Sequence, residues 1–287
     1  GYDQRMSRKI RKVNRIVLLL LSLAAISSAS AQFEQLDGLY FEVPGKNNTD
    51  QNFFNRDNKI YTVGKEFVYS YRLYRNRQST LVTVQQKNDP QTKNWRFTNS
   101  NIDSLTIQHL RFTVLDGYGG MDHLFPDYSQ TIIQQKYSAV NGQVLFDGST
   151  GLIENEKNIW LHPFRGKYFS VTEFSPFPYV KLPLKEGTKW NWRLPEIDGR
   201  WSDPRIIEYK GTVEATYSYK IVDEKNLKTA FGVLSCFVID AEAENRIGKS
   251  KLRSYFNPQY GFVLLEYTNI DKSKLILELV QINQTKK

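Results

Sequence analysis

Apolar and polar positions alternate along most of the chain. In EFVYSYRLYR, at 66–75, every second position from Phe67 to Leu73 is apolar or aromatic, whereas Ser70 and Arg72 fall on the opposite side. A period of two is typical of a half-buried β-strand. The segment QTIIQQKYSAV, at 130–140, fits either a strand or a short helix. We therefore predict an all-β fold with few short helices.

The C-terminal third contains the clearest run of strands. Five strand-like segments follow one another at 211–223, 229–244, 250–256, 261–270 and 273–282, joined by polar links. Short connections favour an antiparallel meander. We predict a large curved antiparallel sheet, or half-barrel, that ends in this five-strand meander.

The middle of the chain, residues 160–204, has a different composition. It holds six prolines and four of the five tryptophans. Proline removes a backbone donor, so this segment is not a regular central strand throughout. We expect extended pieces and turns that wrap over the sheet. We predict that residues 32–287 form a single β-rich domain. The candidate boundary between two subregions of this domain lies near residues 195–210.

Residues 1–31 have the layout of a secretory signal peptide. Basic residues precede the apolar run Ile16–Ile26, and Ala29-Ser30-Ala31 fits a small-x-small cleavage site. This run of 11 residues is shorter than the roughly 20 apolar residues of a spanning helix. We predict cleavage between Ala31 and Gln32, no transmembrane segment after signal removal, and export to the periplasm or the exterior. No cysteine follows the small residues, which argues against a lipid anchor.

Removing the leader changes the charge. Residues 1–31 carry six basic side chains and one acidic one, so the formal net charge of +9 falls to +4 for residues 32–287. The remaining charges of both signs are interspersed, whereas nucleic-acid binding needs a basic stripe. Nucleic acid is therefore not an expected partner.

The only cysteine, Cys236, lies in the strand-like segment TAFGVLSCFVIDAEAE. A nucleophilic thiol needs a lowered pKa, access and usually a histidine partner. Apolar residues lie on both faces of the predicted strand around Cys236. Leu234 and Val238 share the face of Cys236, and Val233 and Phe237 lie on the opposite face. We interpret Cys236 as a packing residue in a strand that is covered on both sides.

The three histidines, His109, His123 and His162, show no H-E-x-x-H or H-x-H spacing. The spacing supports no particular metal geometry, and we predict no metal site and no cofactor.

The middle segment holds the candidate site residues. Glu173, in SVTEFSPF, is the candidate for acid–base catalysis, because apolar neighbours can desolvate it and raise its pKa. We favour the simpler interpretation, a carboxylate that is solvated or paired with Arg165 or Lys167. The tryptophans either fill the core, which we favour, or form a wall that contacts sugar or lipid. Candidate ligand-binding residues are Trp160, His162, Arg165, Trp190, Trp192 and Trp201.

The segments AFGVLSCFVIDAEA and LRSYFNPQYGFVLLEY, followed by a last apolar strand, carry a resemblance. They resemble the closing meander of uncharacterised Gram-negative envelope proteins, which share a curved antiparallel sheet with periplasmic lipoprotein carriers. The resemblance covers residues 211–282. It implies a concave sheet face that holds an apolar ligand, and it carries over no catalytic residue.

Three functions fit the sequence. The leading hypothesis is a non-enzymatic exported envelope protein that binds an apolar or amphipathic ligand, such as a lipid, on a concave sheet face. A carbohydrate-binding or carbohydrate-hydrolysing protein would use the aromatic residues as a platform for a glycan. A structural subunit of a surface complex would pair a sheet edge with a partner protein.

Overall fold

The computed structural model describes residues 32–43, 53–84, 95–99, 102–118 and 129–285. Ala31, the rest of the predicted signal peptide, and His123 lie outside these ranges, whereas Gln32 begins the first described strand. Within the described residues, no helix has the length and apolar character needed to cross a membrane.

Sixteen strands and three 3₁₀ helices occur among the described residues. The helices are Phe53–Asn55, Lys167–Phe174 and Gly199–Trp201. The strands are β1 (Gln32–Leu36), β2 (Leu39–Val43), β3 (Lys65–Arg75), β4 (Gln78–Val84), β5 (Trp95–Thr98), β6 (His109–Val114), β7 (Thr131–Ser138), β8 (Val144–Glu154), β9 (Asn158–Leu161), β10 (Tyr179–Lys181), β11 (Lys189–Ile197), β12 (Val213–Thr229), β13 (Gly232–Asn245), β14 (Gly248–Asn257), β15 (Gly261–Thr268) and β16 (Lys274–Gln284).

Fourteen of these strands form one antiparallel sheet. Its order is β10-β9-β8-β7-β6-β3-β16-β15-β14-β13-β12-β11, and β4 and β5 branch from β3. The predicted all-β antiparallel fold and the C-terminal meander, now β12 to β16, are confirmed. The ambiguous segment at 130–140 contains strand β7.

The two end strands of the sheet, β10 and β11, lie close together. The rings of Tyr179 on β10 and Trp190 on β11 are 5.6 Å apart. The sheet therefore curves beyond a half-barrel into a nearly closed barrel.

The β1–β2 hairpin covers the seam between these end strands. Asn158 on β9 takes the place of a strand neighbour, because its side chain accepts from the Tyr40 amide at 2.8 Å and donates to the Tyr40 carbonyl at 2.9 Å. On the other side of the seam, the Arg193 amide donates to the Asp37 carbonyl at 2.8 Å. The turn residue Gly38 has a φ of +96°, and a Cβ there would lie 2.2 Å from the Asn191 carbonyl oxygen. Only glycine fits this close approach.

The segment between β9 and β10 runs through the barrel interior. Its 3₁₀ helix Lys167–Phe174, here called the interior helix, has four apolar or aromatic side chains with no exposed surface: Tyr168, Phe169, Val171 and Phe174. The expectation that residues 160–204 wrap over the sheet is therefore wrong for this part. The prolines at 163, 176 and 178 lie in the links on either side of the helix, where no ladder donor is needed.

Hydrogen bonds join the interior helix to the opposite wall of the barrel. The hydroxyl of Ser250 on β14 donates to the Phe174 carbonyl at 2.8 Å. The Tyr168 hydroxyl donates to Asp271 at 2.9 Å and lies 2.7 Å from the Ser273 hydroxyl in the β15–β16 turn. The protein's own chain thus covers the concave face of the sheet at these positions.

Candidate functional site

The fold brings three of the sequence-predicted site residues together. His162 and Arg165 directly follow β9, and Glu173 lies near the end of the interior helix. The Nε2 atom of His162 is 3.6 Å from Oε1 of Glu173, and an Arg165 nitrogen is 3.9 Å from the same oxygen. This His162–Arg165–Glu173 cluster places the predicted acid–base candidate, Glu173, beside two of the predicted ligand-binding residues.

Burial keeps His162 neutral. Its Nδ1 lies 3.0 Å from the Pro163 carbonyl, which can only accept, so the proton belongs on Nδ1. Desolvation, and then the neighbouring Arg165 charge, lower the pKa of His162 to about 3. The contact between His162 and Glu173 is therefore not an ion pair near neutral pH.

Burial acts on Glu173 in the opposite direction. Desolvation raises the pKa of Glu173 to about 7, although the charges of Arg165 and Arg200 lower it. This agrees with the expectation that apolar neighbours raise this pKa. The Glu173 Oε1 atom has no hydrogen-bond partner among the described residues. The side chain is only 6% exposed, so its access to a substrate in solvent is small.

Three of the tryptophans belong to the core. Trp160, Trp190 and Trp192 are 4–6% exposed. Trp190 and Trp192 share one face of β11, as predicted, and each stacks on a tyrosine of β12 at 5.3 and 5.0 Å. The structure thus favours the core interpretation over an open aromatic wall, and ligand binding by these residues stays a prediction.

Trp201 has a different environment from the other three. It is partly exposed, and the guanidinium groups of Arg165 and Arg200 lie 6.0 and 5.9 Å from its ring. Both distances allow cation–π attraction. Trp201 therefore lies beside the outer, charged end of the His162–Arg165–Glu173 cluster.

Other carboxylates are also buried, among them Glu154 and Glu42. Glu154 accepts from the backbone amides of Lys59, Ile60 and Tyr61 at 2.8–2.9 Å, so it holds that loop in place. Burial raises the pKa of Glu42 to about 7, with smaller contributions from nearby acidic groups. In the part of the chain that the structure describes, no group of three His, Cys, Asp or Glu side chains is placed to hold a metal ion.

Cys236 is fully buried, as predicted. Desolvation raises the pKa of its thiol to about 11, which opposes nucleophilic reactivity. The expectation that its strand is covered on both sides is wrong at one end, because Val233 is 69% exposed. The reason is that this end of β13 extends beyond the rest of the sheet.

The extension is a two-stranded hairpin, residues 222–235, here called the arm. Strand β12 pairs with β11 only up to Lys220, and a further backbone contact joins Ile221 to Thr188. Its pairing with β13 continues to Thr229 and Gly232 beside the turn. The arm therefore projects past β11 by the eight residues 222–229.

Antiparallel geometry shows which backbone groups of the arm face outward. In a two-residue hairpin the pair next to the turn, Thr229 and Gly232, is hydrogen bonded, and bonding then alternates along the strand. The N–H and C=O groups of Glu224, Asn226 and Lys228 consequently point away from β13. No hydrogen bond from the described residues reaches these groups from the outer side.

The opposite edge of the arm is partly covered. The same alternation directs the Ser235 carbonyl outward, and there the Asn257 side chain donates to it at 2.8 Å. The rings of Phe231 at the tip and Tyr260 in the β14–β15 turn stack at 4.7 Å. These contacts fix the arm to the barrel and leave the outer edge of β12 as its open side.

Sequence reasoning missed this edge. It treated EKNLK, residues 224–228, as a polar link, since charged residues are depleted in strands. The available signal was Gly232, which follows directly on Ala230-Phe231 and takes a φ of +96° at the end of a two-residue turn.

Comparison with known proteins gives structural likeness alone. No protein-family model matches the chain, and no curated protein matches it significantly. Similar solved structures include a "putative exported protein with YmcC-like fold" from Bacteroides fragilis NCTC 9343, with 12% identity over 77% of this chain and 96% of that one and a TM-score of 0.41. A "putative lipoprotein" from Parabacteroides distasonis ATCC 8503 has 9% identity over 78% and 96%, with a TM-score of 0.41. The "hypothetical lipoprotein YmcC" from Escherichia coli K12 has 11% identity over 80% and 92%, with a TM-score of 0.31.

All three names describe exported proteins or lipoproteins, which is the class that the sequence-based resemblance indicated. At these identities and TM-scores the likeness decides neither the function nor the location of this chain. Export therefore continues to rest on the predicted signal peptide.

Proposed function

We propose that this chain is a non-enzymatic, exported structural subunit of a surface complex, whose arm adds a strand to a partner protein. The observation that carries the proposal is the open edge of β12 at residues 222–229. Unpaired strand edges are templates for pairing with another chain, and strand addition is a recurrent mode of protein recognition.

The seam of the barrel provides a contrast within the same sheet. There the β1–β2 hairpin covers the gap between the end strands, and the Asn158 side chain bonds to both backbone groups of Tyr40. At the arm, the outward groups of Glu224, Asn226 and Lys228 have no such cover among the described residues. An edge that is left open suits recognition better than an edge already covered.

The interior supports this choice over the leading hypothesis from sequence. An apolar ligand on the concave face would have to displace the interior helix, whose Phe169 and Phe174 side chains have no exposed surface. Displacing two such side chains costs several kcal/mol before any ligand contact is made. Binding of a lipid or a glycan stays a prediction with less support.

The proposal is tested with Asn226→Pro, which removes an outward donor from the middle of the open edge. Envelope extracts from cells that express the wild type or the variant are cross-linked and separated on native gels. We expect the wild type in a complex larger than one chain, and the variant as a single chain with unchanged circular dichroism. A wild type that migrates as a single chain in these extracts would overturn the proposed function.

A further inference from the structure

We infer that the strand that pairs with the arm is the arm of a second copy of this chain, in an antiparallel arrangement about a twofold axis. The inference rests on the proposed function and names its partner. A twofold arrangement uses the same surface on both copies, so the edge must be complementary to itself. The sequence of the β12 edge can be checked for this property directly.

Backbone geometry restricts the registers that are available. The outward-facing groups belong to the even-numbered residues Glu224, Asn226 and Lys228, and each must lie opposite an outward-facing residue of the other copy. Even-numbered residues therefore pair with even-numbered residues. In each allowed register, the numbers of the two paired residues add up to one even number. The allowed registers differ from one another in this sum by steps of two.

Charge then selects one of these registers. With Asn226 opposite Asn226 on the twofold axis, Glu224 lies opposite Lys228 of the second copy, and Lys228 lies opposite its Glu224. Two opposite-charge pairs form in this register and no like charges face each other. Directly opposite side chains in an antiparallel pair share a face and interact, so these pairs stabilise the arrangement.

The neighbouring registers are less complementary. One places Lys225 opposite Lys225. The next in that direction forms Asp223–Lys225 pairs, but it places Glu224 opposite Glu224 and brings Lys228 against Lys220, which already pairs with Lys189 of β11. The register on the other side places Leu227 opposite Leu227 and forms no opposite-charge pair. Like charges directly opposite each other are destabilising.

The side chains of the selected pairs are accessible. Glu224 and Lys228 are both exposed. Glu224 accepts one hydrogen bond, from the Ser235 hydroxyl at 2.9 Å on Oε1, which leaves its other oxygen for a lysine. The three closely bonded backbone pairs of this register supply about six hydrogen bonds, two for each pair.

Sedimentation equilibrium of the purified protein tests the inference. We expect a monomer–dimer equilibrium for the wild type. Glu224→Lys and Lys228→Glu each place like charges opposite each other twice, and each is expected to raise the dimer dissociation constant about tenfold or more. The double variant that carries both changes restores opposite-charge pairs and should dimerise like the wild type. Glu208→Lys, at an exposed position outside the arm, is the matched charge-reversal control and should leave the equilibrium unchanged.

The register is tested by cross-linking. In Asn226→Cys the two new thiols lie across the twofold axis, where closely bonded strand pairs have a Cα separation of about 5.5 Å, within the range of disulfides. We expect a disulfide-linked dimer under mild oxidation, and none from Ser235→Cys on the covered edge. The native Cys236 is buried, so the wild type serves as the control that forms no disulfide between copies.

Three results would overturn the inference: a purified wild type that stays monomeric at about 100 µM, a dimer that the charge reversals leave intact, or single variants that the double variant does not rescue. A monomeric purified protein that nevertheless enters an Asn226-dependent complex in envelope extracts would exclude self-pairing and retain the proposed function. The two proposals can therefore fail separately.

Discussion

The interior helix and the arm both depart from the regular barrel sheet, and they differ in what their polar groups do. In the interior helix, Ser250 and Asp271 of the opposite wall bond to Phe174 and Tyr168, and the apolar side chains are fully buried. In the arm, exposed charges line an edge whose outward backbone groups have no partner among the described residues. The interior helix completes the protein's own core, whereas the outward backbone groups of the arm are left for pairing with another chain.

This difference shows how the same sequence features acquire opposite roles. The aromatic middle segment was a candidate binding surface, but three of its four tryptophans pack in the core. The charged stretch EKNLK looked like a linker, but it forms a projecting strand edge. Burial and pairing decided both outcomes.

The largest effect is expected from shortening an aromatic side chain of the interior helix. Phe169→Ala removes a fully buried ring that packs on Tyr71 at 5.1 Å, so we expect a loss of about 3–5 kcal/mol in the free energy of unfolding. The matched change in the arm, Phe231→Ala, should cost less than about 1.5 kcal/mol because that ring is partly exposed. Urea unfolding measures both. Equal losses would remove the distinction between the two regions.

A second test uses the opposite pKa changes inside the barrel. The pKa of Glu173 is raised from 4.5 to about 7, so its carboxyl destabilises the fold progressively as pH rises through that interval. Relative to the wild type, Glu173→Gln should therefore gain about 3 kcal/mol of unfolding free energy between pH 4.5 and pH 7. Thermal or urea unfolding over this pH range measures the difference.

His162 contributes a pH dependence of the free energy of unfolding that has the opposite sign. Its pKa is lowered from 6.5 to about 3, so the stability that it contributes is lost as pH falls through that interval. His162→Asn should gain about 4 kcal/mol relative to the wild type between pH 6.5 and pH 3. Between pH 4.5 and 6.5 the two effects oppose each other in the wild type. Parallel stability curves for the wild type and both variants would contradict the burial of His162 and Glu173.

A smaller effect is expected at the seam. Asn158→Ala deletes the side-chain bonds to both backbone groups of Tyr40, and we expect a cost of about 1–3 kcal/mol. Asn226→Ala in the arm should change the stability of the monomer by less than about 0.5 kcal/mol, since its side chain is exposed. Hydrogen exchange of the Tyr40 amide gives a local measurement. Unchanged protection of that amide in Asn158→Ala would contradict the described seam.

The smallest energetic effect concerns the thiol. Native Cys236 should react with a thiol reagent only on unfolding, because it is buried and its pKa is raised to about 11. A cysteine at the exposed position 233, introduced by Val233→Cys, should react rapidly in the folded protein without a change in stability. Rapid modification of the native thiol would show that this end of β13 opens.

Much of the fold could be predicted from the sequence. Alternation in segments such as 66–75 and the short links after residue 211 were sufficient for the antiparallel meander, because strand period and turn chemistry are local properties. The effect of apolar neighbours on Glu173 was also predictable, since Phe174 and Phe177 lie close to it in sequence. Its contact with His162 was not, because that contact depends on how the 3₁₀ helix folds back within the barrel.

The sequence by itself determined the strand class, the meander, the buried Cys236 and the predicted export leader, all of which depend on local patterns of residues. Only the tertiary structure decided that the aromatic segment enters the barrel, that Asn158 joins the seam to Tyr40, and that β12 extends past β11 as an open edge. These features depend on which distant segments meet and on where a strand's neighbour ends. A period of two is the same in a strand with two neighbours and in one with a single neighbour.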